Sequence, residues 1–208
     1  GSYGGSAFPV AEGGTITRPT WGPDRDAVWA VIDGSAVRRA VRDPATGQVS
    51  LTDVESSEIA ELGGQITELR LSRDGVRAAL IVDGAVYVCV VVRRADGTYS
   101  LREPEAVAAG LASAALSLDW STGDTVVVAR AATEIPIVQV AVDGSRLDGL
   151  PSRNLTAPVV SVDATPSTTY VADSRAVFEI DDSDPASDRY WREVPGLTGA
   201  RSVPVLPG

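Results

Sequence analysis

The chain of 208 residues has no methionine, no histidine and no lysine, and its 18 cations are all arginine. Without histidine there is no Ser-His-Asp triad and no imidazole metal site. Without lysine there is no Schiff base, no Ser-Lys dyad and no phosphate-binding P-loop. The one cysteine, Cys89, allows no internal disulfide, and it lies in the apolar run Tyr87–Val92, where a small buried residue is expected. No run of apolar residues is long enough for a membrane span, and no basic segment followed by an apolar one opens the chain as a signal peptide does. Since position 1 is Gly, a processed or partial form is expected. The net charge of −10 disfavours nucleic acid and anionic membrane surfaces as partners.

What remains is apolar and punctuated. Hydrophobic residues make up 44% of the chain, enough for a packed core. Valine-rich runs alternate with Gly, Pro and Asp, the pattern of strands and turns. Six Asp-Gly pairs mark turns, and Asp33-Gly34 and Asp83-Gly84 each sit between two apolar runs as a tight hairpin requires. The Ala-rich stretch 105–113 reads as a short helical turn at most, because Pro104 precedes it and Gly110 interrupts it.

Four segments repeat a strand, a polar turn and an apolar strand: 17–32, 66–82, 115–129 and 159–172. Their anchors Trp21, Leu71, Trp120 and Ala164 are 50, 49 and 44 residues apart. That period predicts an all-β fold, a β-propeller or part of one, with about four blades of four antiparallel strands. A β-sandwich is the alternative. The expected division is 1–14 as an N-terminal segment able to serve as the outer strand of a preceding blade, then blades at 15–58, 59–113, 114–157 and 158–208. The third blade's fourth strand is weakly marked. The segments 3–10 and 200–206 are strand-capable and suited to pairing across a closure.

Few residues offer chemistry. Glu68, Asp119 and Asp163 fall on innermost strands as channel-lining carboxylates, and such carboxylates are what a hydrolytic or glycan-binding propeller would use. The plainer reading of all three is a polar lining or a turn cap. Asp181, Asp182 and Asp184 begin the densest acidic run, which lacks the spacing and glycine of a calcium loop and reads as a solvated contact loop. Arg38, Arg39, Arg93 and Arg94 fall on or after third strands, either guarding sheet edges or forming a face for an acidic protein. Asn154-Leu155-Thr156 is read as a turn. No catalytic residues, no metal site and no cofactor are expected.

The segments 66–79, 116–120 and 153–158, with Thr17-Arg18-Pro19-Thr20-Trp21 and Tyr170-Val171-Ala172-Asp173, resemble the propeller of the actinobacterial LpqB lipoprotein family, including its mycobacterial members. That resemblance implies a lipid anchor upstream of this chain, on the outer face of the cytoplasmic membrane, and a GerM-like domain before the propeller. It also implies a partner, the extracellular domain of the sensor kinase of the MtrA-MtrB two-component system. By the same resemblance, the function is that of a protein-interaction propeller modulating that kinase, with a scaffold for the GerM-like domain as a further alternative, and the propeller is longer than this chain.

Overall fold

The computed structural model describes residues 14–23, 27–107, 114–132, 135–145, 147–150, 155, 158–181 and 191–197. Four sheets follow one another, each of four antiparallel strands in sequence order. The first holds β1 (Thr20–Trp21), β2 (Ala27–Ile32), β3 (Ala36–Arg42) and β4 (Val49–Val54). The second holds β5 (Ile66–Leu71), β6 (Arg77–Val82), β7 (Ala85–Arg93) and β8 (Tyr99–Ala106). β9 (Ala115–Trp120), β10 (Thr125–Arg130), β11 (Ile137–Ala141) and β12 (Leu147–Leu150) form the third, and β13 (Val159–Ala164), β14 (Thr168–Asp173), β15 (Val177–Asp181) and β16 (Arg192–Glu193) the fourth. This is a four-bladed β-propeller architecture, not a sandwich.

The hairpins follow from turn chemistry. Asp33 and Gly34 have φ of 52° and 69°, and Asp83 and Gly84 have 47° and 80°. Positive φ at both central residues is the turn whose twist matches the flanking strands. Each aspartate also accepts from the strand before it, Asp33 Oδ1 from the Thr15 N–H and Asp83 Oδ1 from the Gln65 N–H.

The second strands of the two middle sheets are apolar on both faces because both faces are covered. In β6, Leu80 lies in a core with the first sheet's Trp29 and Val31, while Ile81 lies in a core with the third sheet's Leu118 and Trp120. A third core joins Val127 of β10 to Val162 and Phe178 of the fourth sheet. Such stacking gives each sheet the burial it cannot achieve alone. Cys89 is sealed inside the first of these cores, and burial pushes its thiol up to about 12, so it is an inert packing residue.

Two elements differ from expectation. The short helix α1 (Ser57–Ala60) stands where a plain loop is expected, with Ile59 buried. β8 runs on through Pro104 to Ala106, although a proline argues against a strand interior. Proline is accommodated because β8 is an outer edge and its register shifts beside the Val88–Val90 step, with Glu103 at a φ of 55°. The weakly marked fourth strand of the third blade is present as β12. The turn expected over 105–113 lies outside the described residues from 108 onward, as do 3–10, 200–206 and the sequon's Asn154 and Thr156.

Gly75 shows how closely blades abut. Its φ is 71°, and an added Cβ would stand 2.4 Å from Cγ of Pro23 in the first sheet's turn. Gly75→Ala combines left-handed strain with a rigid clash, so it should cost about 1–3 kcal/mol. Urea titration checks this; an unchanged midpoint would mean the two turns separate freely.

Candidate functional site

The innermost strands share one irregularity. Between β5 and β6 the register steps from Ile66↔Val82 to Glu68↔Ile81, leaving Thr67 as an extra residue. Leu116 is the extra residue between β9 and β10, and Val160 between β13 and β14. In the first sheet the register likewise shifts by one residue between the Ile16↔Ile32 bridge and the Thr20↔Trp29 pair. A bulge bends a strand and re-aims its side chains. Here it precedes the residue three before each blade anchor: Arg18, Glu68, Ser117 and Ser161.

Three of these equivalent positions meet at the axis, and the fourth sheet joins them through Val160, the neighbour of Ser161. Arg18 Nη1 donates to Glu68 Oε2 at 3.2 Å and to Ser117 Oγ at 2.9 Å, and its Nη2 donates to the Val160 carbonyl at 3.3 Å. One guanidinium from the first sheet thus reaches each of the other three. Ser117 Oγ also accepts from the Val162 N–H, while the buried Ser161 hydroxyl has no partner among the described residues.

Glu68 is the one carboxylate among these four positions. It is 1% exposed and pairs with Arg18 and, at 2.8 Å, with Arg70. The Arg70 contact is an ion pair without hydrogen-bond alignment, so Oε1 lacks a donor. Burial pushes the carboxyl up from its ordinary value, while the guanidiniums of Arg70 and then Arg18 pull it down; burial prevails.

The other two candidate carboxylates lie two positions further along. Asp119 Oδ2 accepts from the Ala164 N–H at 2.7 Å, tying the third sheet to the fourth. Asp163 is half-buried and engaged within the protein. Arg70 Nη1 donates to Pro19 O, and Arg73 Nη2 crosses to Ala164 O at 3.1 Å. Trp120 Nε1 donates to the Arg70 carbonyl at 3.0 Å. Among the described residues, no three acidic, cysteine or histidine side chains converge to hold a metal.

The arginine pairs lie on or just after β3 and β7, the third strands of the first two sheets. Arg38 pairs with the exposed Asp53 at 2.9 Å. Tyr99 stands edge-on to Trp29, with ring centroids 5.3 Å apart, and carries Arg39 at 4.8 Å and Arg93 at 6.0 Å from its own ring centroid. Arg94 pairs with Glu55, which also pairs with Arg102, and Arg102 binds Glu58 at 2.8 Å. Glu55 exchanges backbone hydrogen bonds with Tyr99 and Leu101, which joins β4 to β8. Arg39 and Arg93 therefore share one ring, while Arg38 and Arg94 enter separate ion pairs. Asp181 closes β15 opposite Thr168, its side chain lying outside the described residues together with Asp182 and Asp184.

Sequence reasoning passed over Arg18. The signal was in the repeat register, which aligns Arg18 with Glu68, Ser117 and Ser161, a polar residue at the same position of every repeat.

Meander sheets stacked about a polar axis define a β-propeller domain, and solved structures agree. The putative TolB of Agrobacterium tumefaciens matches 83% of this chain and 60% of its own, at 16% identity and a TM-score of 0.57. A putative 6-phosphogluconolactonase from Bacteroides uniformis matches 90% of this chain and 57% of its own, at 14% identity and a TM-score of 0.54. At such identities the likeness is one of fold. The chain belongs to the LpqB lipoprotein family: the profile described as the lipoprotein LpqB β-propeller domain matches residues 1–207. Proteins named lipoprotein LpqB from Rhodococcus opacus, Nocardia farcinica and Mycolicibacterium smegmatis are 64%, 53% and 44% identical over the whole chain. The chain spans 35% of the length of each of these relatives. They are named as lipoproteins and not as enzymes, which places them at the cell envelope.

Two predictions follow from the axis. Arg18→Ala removes one of Glu68's two counter-charges. Breaking a fully buried pair costs about 3–5 kcal/mol; with Arg70 still in place and Arg18 itself partly exposed, the loss should be ~2 kcal/mol. Chemical denaturation at neutral pH measures it, and a loss below ~0.5 kcal/mol would remove the axis from the stability of the ring. The second concerns pH. Because the folded-state carboxyl of Glu68 titrates above its ordinary value of 4.5, its contribution is complete below that value and is lost as pH rises through the folded one. Glu68→Gln should flatten this fall between mild acid and neutrality. The turn aspartates Asp43, Asp96 and Asp143 act oppositely: hydrogen bonds from Ala45, Thr98 and Ser145 hold them low, so their contribution is lost as pH falls below 3.8. Thermal midpoints of the wild type and variant across pH separate the two.

Proposed function

We propose that this chain is a non-catalytic protein-interaction propeller of a cell-envelope lipoprotein, and that its partner is the extracellular domain of an MtrB-like sensor kinase, whose two-component signalling it modulates. In the whole protein a lipid anchor upstream would hold it to the outer face of the cytoplasmic membrane. One observation carries the non-catalytic part: the carboxylates at the axis are committed to the fold. Glu68 is sealed between two arginines, and Asp119 caps the backbone of the next sheet. A glycosidase needs a pair of carboxylates open to its substrate.

The outer edge of the first two sheets suits recognition better. Arg39, Arg93 and Tyr99 form a cation–aromatic stack, and Arg38 and Arg94 flank it on a chain of net charge −10. Arginine and tyrosine are the residue types enriched at the centres of interfaces. A concentrated cationic strip on an acidic body would orient an acidic partner segment.

Calorimetry of the folded chain with the purified extracellular domain of the kinase tests the reading. Saturable binding at micromolar affinity or tighter is expected, with Arg38→Glu/Arg93→Glu weakening it at least tenfold while circular dichroism is unchanged. Absence of binding by the folded full-length protein would overturn it.

A further inference from the structure

The seam between the first and second sheets is not closed along its whole length. Trp29 on β2 lies opposite Arg39 on β3, and the equivalent pair of the second sheet is Ala79 opposite Val88. Ala79 and Val88 are buried in the core shared with the third sheet. Arg39 stays half-buried, with its guanidinium over the Tyr99 ring. Beside it lies a cleft of about 270 Å³, open to solvent and lined by Trp29, Leu71, Val91, Tyr99 and Arg39. Gly22 also lines it, and an added Cβ there would stand 3.4 Å from Trp29 Nε1, which puts the indole N–H at the cleft wall. Among the described residues nothing accepts from that N–H, whereas the Trp120 indole donates to the Arg70 carbonyl.

The size of the cleft decides the class of occupant. Pockets for small organic ligands enclose about 300–1,000 Å³. This one is smaller and partly open, which suits a single side chain. Its lining is apolar and aromatic, two guanidiniums stand at the Tyr99 ring, and the indole offers a donor. We infer that the cleft is a socket for one large apolar side chain of a partner segment, and that carboxylates on either side of that residue are drawn to Arg39 and Arg93. The inference rests on the protein-interaction reading above and adds the chemistry of the segment recognised. Interfaces concentrate their energy where an anchor side chain fills a pocket, and the surrounding charges set its orientation. On a chain of net charge −10, an acidic segment is repelled over most of the surface and admitted where arginines cluster.

Blocked peptides test the socket: Glu-Asp-Leu-Asp-Glu, the same peptide with Ala at its centre, and the neutral Gln-Asn-Leu-Asn-Gln. The Trp29 indole resonance of the folded chain is followed in proton–nitrogen correlation spectra. The acidic Leu peptide should shift it saturably, and the Ala and neutral peptides should not at the same concentrations. Val91→Phe, which projects a ring into the cleft from β7, should abolish the response, while Val90→Phe on the opposite face of that strand should retain it. Equal shifts from the Leu and Ala peptides would show attraction of charge alone and overturn the inference, as would no shift from any peptide. With the kinase's extracellular domain, Val91→Phe should weaken binding at least ~tenfold. Undiminished binding would overturn the socket while the interaction reading stands. A Leu-specific shift without kinase binding would uphold the socket and remove the kinase as its partner.

Discussion

Everything at the centre of this molecule depends on where the Arg18 guanidinium can go. Four innermost strands converge, and the side chains that meet there cannot all be apolar without leaving backbone groups such as the Val160 carbonyl to less suitable partners. A planar guanidinium presents several donors in a fixed fork, which an ammonium does not. That fork serves Glu68, Ser117 and Val160 together, in a chain whose only cationic side chain is arginine. The cost is a carboxylate withdrawn from water, which two arginines offset without fully cancelling. The axis is therefore a fastening point, while the arginines and tyrosine of the outer edges remain in contact with solvent.

Much of the architecture was legible because it is periodic and local. An anchor every 44 to 50 residues, with Asp-Gly pairs between apolar runs, specifies meander sheets without any long-range information. The bulges were not legible. One extra residue at Thr67, Leu116 or Val160 changes neither composition nor apolar alternation enough to notice, yet it decides which side chains face the axis. The full length of β8 was not legible either, because Pro104 argues against an interior strand and nothing in the local sequence says that the strand lies at an edge. Helix α1 was missed for its length, a single turn held by Ile59 against the core.

The site was half legible. Glu68 and Asp119 stand on the first strands of their sheets, but whether a carboxylate is open or fastened depends on partners 50 and 45 residues away. The arginine pairs illustrate the same limit. Arg38-Arg39 and Arg93-Arg94 look alike in sequence, yet alternation sends one member of each pair to Tyr99 and the other to an acidic partner. Only the stacking of the first sheet on the second creates that distinction.

The reach of Arg18 also has a bearing on biogenesis. Its contact with Val160 closes a loop of 142 residues, far longer than any hairpin in the chain. In a chain that emerges from its N-terminal end, Arg18 appears long before the strand that receives it. The first three sheets can stack as they appear, each against the one before, but the fastening waits for β13. Long-range contacts of this kind slow folding. Until then the cation stays hydrated and Glu68 has Arg70 alone, which leaves the propeller unfastened at its axis until its fourth sheet arrives.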